Sequence, residues 1–149
     1  MPKIENKWDS LYDPGKQTWF TKLEEKAINW YFSRMFGKTI LSASGVKSGK
    51  IFEPGCGSGM TCVQFAQDGF DITLMDLSPN ALKKALTTFE NFGQSCKFTI
   101  GDLFNLPFPD EEFDVVFNQG VMEHFKIAGI NPDVGIQEML RVVKKDGTL

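Results

Sequence analysis

Ile51-Phe52-Glu53-Pro54-Gly55-Cys56-Gly57-Ser58-Gly59 sets three glycines at alternate positions between a short apolar run and a segment of helical period. Glycines there let backbone approach a ligand without Cβ interference, and free N–H groups at a helix start point toward the ligand's polar end. A plain tight turn is the bland alternative, but it needs neither a third glycine nor an acidic residue at the strand end. A dinucleotide fingerprint would need its third glycine one position later, where Met60 stands, so a nicotinamide or flavin site is the runner-up.

Outward from this loop, short apolar runs alternate with helix-period segments, the signature of strand-helix-strand units on a parallel sheet. Strands are expected at 51–53, 72–76, 97–100 and 113–118, with a fifth barely beginning at 148–149. A helix over 60–67 carries Cys62, Val63, Phe65 and Ala66 and is closed by Gly69. Ser78-Pro79 caps a second, striped by Leu82, Ala85, Leu86 and Phe89. Asn131-Pro132 repeats the signature before Ile136, Met139, Leu140 and Val143, and Asp146-Gly147 then turns the chain. Upstream, Phe20, Leu23, Ala27, Trp30 and Tyr31 predict an amphipathic helix over about 18–36, and Ser42, Ser44, Gly45, Ser48 and Gly49 read as a linker. The chain thus divides into an aromatic helical cap segment, 1–45, and an α/β core, 46–149.

Composition narrows the function. At 149 residues, 42% hydrophobic and 23% charged, the chain has the make-up of one globular domain, and no apolar run is long enough for a bilayer span. Its polar start, Met1 to Lys7, lacks the apolar stretch of a secretory signal, so a cytoplasmic protein with no membrane partner is expected. Three cysteines, Cys56, Cys62 and Cys96, and a single histidine have no metal-ligand spacing, so no metal is expected. A net charge of −3 with scattered basic pairs disfavours a nucleic-acid partner.

From 50 to 149 the chain resembles the class I S-adenosylmethionine-dependent methyltransferases, with Glu53 to Gly59 similar to their first motif. The resemblance implies a Rossmann-like parallel sheet with flanking helices, in strand order 3-2-1-4 with the start of strand 5. That is incomplete against the family's seven strands. It also implies a cradle for S-adenosylmethionine, with S-adenosylhomocysteine as product, built on Gly55, Cys56, Gly57 and Gly59. Glu53 matches the acidic residue that holds the methionine amino group, and Asp76, beside Leu77, matches the carboxylate that receives both ribose hydroxyls. Asp102 matches the position that meets the adenine amine, Leu103 would pack on the base, and Asn118 and Gln119 stand at the methionine end. Val121-Met122-Glu123-His124-Phe125 resembles the stretch beside the substrate entrance, which makes His124 and Glu123 candidate catalytic bases, with loop ordering as their ordinary alternative.

The acceptor expected is a small molecule, since the N/D-P-P-Y/F-type tetrapeptide of nucleic-acid amine methylation is absent and Asn118-Gln119-Gly120-Val121 stands in its place. A cofactor-binding module without turnover is the alternative from another class. Trp8, Leu11, Tyr12, Trp19 and Phe20 are expected either to close over the site as a lid or to pack on the sheet. A chain ending at strand 5 is expected to expose Val115, Val116 and Phe117 as an apolar sheet edge and to form a homodimer through it.

Overall fold

The computed structural model describes residues 19–127 and 129–149. In chain order these form α1 (Trp19–Ser44), β1 (Lys50–Pro54), α2 (Met60–Gln67), β2 (Asp71–Asp76), α3 (Pro79–Asn91), β3 (Lys97–Ile100), β4 (Phe113–Val116), α4 (Met122–Ile127), α5 (Asp133–Val142) and β5 (Val143–Thr148). The five strands make one parallel sheet in the order β3-β2-β1-β4-β5, the Rossmann-like arrangement. The chain steps outward from β1 to β3 and then returns to the other side of β1 as β4. The C-terminal ends of β1 and β4 therefore diverge at a topological switch point, where open α/β sheets bind ligands.

Strand alternation sends Ile51, Ile72, Leu74, Val115 and Phe117 to one face, where α2 covers them with Cys62, Val63 and Phe65 and α3 with Leu82, Ala85 and Phe89. Phe36, Ile40 and Leu41 of α1 pack against the same layer. Phe52, Met75 and Val116 go to the other face, under Met139 and Val142 of α5 and Leu103 and Leu106 of the β3–β4 loop, and Phe113 joins them there across the irregularity between Phe113 and Val115. Phe52 stacks on Phe113 at 4.8 Å between centroids, and Phe108 meets both rings edge-on at 4.9 and 5.1 Å. Such pairs contribute about 0.5–1.5 kcal/mol each beyond the area they bury.

The caps follow the sequence where hydrogen bonds decide them. Ser78 Oγ accepts from Ala81 N at 3.1 Å with Pro79 at the first helical position, whereas α5 starts a residue later than expected, with Pro132 as a cap that has no side-chain bond and Asn131 Oδ1 accepting from Asp133 N at 3.0 Å just before it. The proline-rich stretch before β4 is a loop, held by one side chain. Arg141 of α5 forks onto both Glu138 oxygens at 2.8 Å and donates to Phe108 O at 2.8 Å, Leu106 O at 3.0 Å and Asp110 Oδ1 at 2.9 Å. Glu138 Oε2 in turn accepts from Leu106 N at 2.8 Å.

Four expectations are corrected. The first helix runs on to Ser44, because Gly37 is not a terminus. A Cβ there would lie 3.2 Å from the Phe65 ring, so the glycine lets α1 cross α2 closely. β5 begins at Val143, directly off α5, and Lys144 to Gly147 form an irregular bulge within it, since Val143 pairs with Phe113 but Thr148 with Val115. A Cβ on Gly147 would stand 2.8 Å from Asp114 O, which is why the bulge needs glycine. β4 is consequently an inner strand: Val115 and Val116 are fully buried and Phe117 nearly so, and the apolar edge expected there is covered by β5. Leu86 and Leu140 are exposed rather than buried, and the α5 stripe runs through Gly135, Met139 and Val142 instead.

The lid expected of Trp8, Leu11, Tyr12, Trp19 and Phe20 lies outside the described residues and side chains. No helix among the described residues is long and apolar enough to cross a membrane.

Arg141→Leu should lower stability by about 1–3 kcal/mol, toward the lower end because the guanidinium is partly exposed. Denaturant unfolding measures this, and an unchanged midpoint would contradict the clasp.

Candidate functional site

A cleft of about 340 Å³ opens at the C-terminal ends of β1 and β4. Its floor is the glycine loop. Gly55, Gly57 and Gly59 all hold left-handed backbone, at φ 70, 54 and 65°. A side chain at Gly55 would collide with Val121, its Cβ 2.4 Å from Cγ2, so the loop and the segment after β4 close on each other only through glycine. Gly59 faces away from the cleft: a Cβ there would meet Leu74 at 2.9 Å and Ala85 and Phe89 at 3.3 Å, so its task is to seat α2 against the sheet and α3.

The loop is tied to β2 by backbone and by one carboxylate. Met75 O accepts from Gly55 N at 2.7 Å and Cys56 N at 3.0 Å. Asp76 accepts from Gly57 N through Oδ2 and from Ser78 N through Oδ1, each at 2.9 Å. A carboxylate offers about four lone-pair sites, so each oxygen keeps acceptor capacity toward the cleft. Burial raises the Asp76 pKa above the ordinary range, against the lowering effect of the Ser78, Gly57 and Leu77 N–H groups.

Glu53 is the unusual group. It is 3% exposed at the end of β1, and its Oε2 has no hydrogen-bond partner. Burial pushes its carboxyl up to about 8, a hydrogen bond from Cys62 opposes this, and the Asp76 charge adds to it. Burial likewise raises the Cys56 and Cys62 thiols, neither of which is in a disulfide. A buried carboxyl oxygen without a donor is costly in isolation and becomes favourable when a cation or N–H donor arrives.

The cleft brings together Glu53, Gly55, Cys56, Gly57, Asp76, Leu77, Asp102, Leu103 and Gln119 of the expected site. Asp102 Oδ1 accepts from Phe104 N at 3.0 Å, an Asx turn that leaves Oδ2 to the cleft. Asn118 does not line it. Its Nδ2 instead donates to Pro54 O at 2.6 Å and clamps the ends of β4 and β1 together. His124, partly buried on α4, also stands outside the lining, and the side chain of Glu123 lies outside the described ones.

Sequence reasoning missed Ser33 of α1, Thr61 of α2, and the ring pair Phe104–Phe125 at 4.8 Å, all part of the wall. Only Thr61 carried a signal, a hydroxyl in the first turn after the glycine loop.

Comparison with known proteins agrees with this geometry. Residues 52–149 match the family model described as a methyltransferase domain. The chain is 28% identical to norajmaline N-methyltransferase of Rauvolfia serpentina over 90% of its length and 46% of the relative's. It is 31% identical to the eEF1A lysine and N-terminal methyltransferase homolog of Drosophila melanogaster over 70% of its length and 16% of the relative's. The chain therefore spans less than half the length of these curated relatives. A crystal structure from Methanococcus maripaludis superposes with a TM-score of 0.76 at 20% identity, covering 83% of this chain and 57% of that one, which bears on the fold alone.

Because the folded-state value of Glu53 lies above the ordinary 4.5, the unfolded chain releases this proton at lower pH than the folded chain does. Stability should fall as pH rises from about 4.5 toward about 8. Glu53→Gln should flatten that part of the profile in thermal unfolding, and a slope identical in both proteins would contradict the buried, unpartnered carboxyl.

Proposed function

The chain belongs to the methyltransferase domain family, and on that premise we propose that it is an S-adenosylmethionine-dependent methyltransferase acting on a small molecule. The observation that carries the reading is the unpartnered Glu53 Oε2 in the wall of a cleft floored by the left-handed Gly55 and Gly57. That oxygen suits the cationic amino group of the cofactor. The spare lone pairs of Asp76 suit the two ribose hydroxyls, and Asp102 Oδ2 with Leu103 suits the adenine amine and ring face. The family match removes the support for the nicotinamide alternative, which the glycine spacing already disfavoured.

When bound, the cofactor supplies a sulfonium-activated methyl group, and the acceptor's nucleophile takes it in line as the carbon–sulfur bond breaks. The protein's part is to orient and to exclude water. Glu53 and Asp76 fix two ends of the ligand, the glycine loop admits it at backbone distance, and Val121 closes over Gly55. The reading gives His124 no proton-transfer role, because it stands outside the cleft lining.

A small acceptor is favoured over a protein by the concave, partly aromatic wall around Phe104 and Phe125. The relatives named above include one whose name gives norajmaline and one whose name gives eEF1A lysine, so the acceptor rests on the cleft rather than on kinship. Three free thiols support a reducing, cytoplasmic compartment.

Calorimetric titration with S-adenosylmethionine and S-adenosylhomocysteine tests the proposal. Asp76→Ala should weaken both by about tenfold to a hundredfold, the loss of charge-assisted hydrogen bonds worth about 1.5–3 kcal/mol each. Undiminished affinity in a folded variant would rule out Asp76 as a ligand-binding group.

A further inference from the structure

Among the described residues the sheet has two outer strands, and they meet solvent differently. β5 carries an irregular bulge together with Lys144, Lys145 and Asp146, features that keep an edge from pairing. β3 is regular over all its residues, and its one charge, Lys97, is already held by Asp71 at 2.7 Å. Phe98 and Ile100 nevertheless stand 47% and 58% exposed on it.

One bond fixes the direction of the backbone groups. Gly101 N donates to Asp76 O at 3.1 Å, across to β2. Backbone groups alternate along a strand, so Lys97, Thr99 and Gly101 turn theirs toward β2, while Phe98 and Ile100 turn theirs to the open side. The Ile100 carbonyl accepts the Thr99 hydroxyl at 3.4 Å and keeps a second lone pair. Side chains alternate too. Phe98 and Ile100, in register with Leu74 and Asp76, share the face that α3 covers, and Lys97 and Thr99 take the other.

We propose that β3 is a homodimer edge: two copies pair antiparallel about a twofold axis at Thr99 and join their five-stranded sheets into one. The occupant is a second copy because the strand is complementary to itself. Opposed residues of an antiparallel pair lie on one face, so Phe98 can oppose Phe98 or Ile100 but not Thr99. With the axis at Thr99, Phe98 meets the second copy's Ile100 on each side of it. Each such pair exchanges the two outward N–H···O bonds that the edge leaves open, and sets an aromatic ring on a β-branched side chain. The axis itself sets Thr99 against Thr99, a favourable cross-strand pair. Lys97 falls opposite Gly101, so the two lysines stand roughly 13 Å apart, beyond the screening length at physiological salt. An axis at Phe98 would instead put Ile100 opposite Cys96 and Lys97 opposite Thr99. Because β3 leads into Gly101 and Asp102 of the cleft wall, the pairing borders the cleft without entering it.

Sedimentation equilibrium and a disulfide trap test the proposal, and neither depends on the cofactor. A short strand pairing lies at the small end of interface sizes, so the wild type should dimerise with a dissociation constant of about 10–100 µM. Ile100→Lys should raise that constant at least about tenfold and leave the circular dichroism of the monomer unchanged, since the side chain is exposed. In a Cys96→Ser background, Thr99→Cys should cross-link two copies under oxidised glutathione, which takes up the two electrons. Opposed residues of this kind have Cα atoms about 4.5 Å apart, within disulfide reach. Lys97→Cys, with its two sites roughly 13 Å apart, should not cross-link. A wild type that stays monomeric over the whole concentration range overturns the proposal. So does a dimer that Ile100→Lys leaves intact, or one that cross-links through position 97 and not through position 99, since it would use another surface or register.

Discussion

The carboxylate of Asp76, bonded at once to Gly57 N in the glycine loop and to Ser78 N at the start of α3, is the contact on which the cleft depends. It joins the end of β2 to the turn that follows β1, and the Met75 carbonyl reinforces it by accepting from Gly55 and Cys56. A loop of three left-handed glycines has high conformational freedom when unfolded, so it needs such ties to hold one shape. Once held, it presents backbone rather than side chains to the cleft, seats α2 through Gly59, and leaves Glu53 almost wholly buried in the cleft wall. The binding floor and the packing of the sheet are thus one construction.

The same economy appears on the opposite face, where Arg141 and Glu138 close the proline-rich loop before β4 onto α5. That loop carries Leu103 and Leu106 into the core and begins with Asp102 at the cleft. A helix between β3 and β4 would satisfy its own backbone; an irregular loop cannot, and the guanidinium supplies donors to the Leu106 and Phe108 carbonyls instead.

Much of this was legible in the chain because local chemistry decides it. Ser78-Pro79 names its own helix start, Asn131-Pro132 marks one to within a residue, and alternate glycines after a buried strand leave little besides a ligand loop. What was illegible is set by distant neighbours. The helix expected over about 18–36 runs on through Gly37, which lies against Phe65, and Asp146-Gly147 looks like a turn before a strand until β4 is seen drawing Val143 into the sheet. Leu86 and Leu140 match the helical period yet fall beside the contact stripe, because period fixes a face only to within its width. Asn118 had the right place for the site but the wrong direction, and Thr61 earned its place only through Gln119.

The central claim is that one ligand spans this cleft from Glu53 to Asp102 across the glycine loop. A crystal structure of the chain with S-adenosylhomocysteine tests it most directly. The account predicts the amino group within hydrogen-bond distance of Glu53 Oε2, both ribose hydroxyls on Asp76 and the adenine against Leu103. A ligand bound elsewhere, or one that leaves the Glu53 oxygen without a partner, would contradict it.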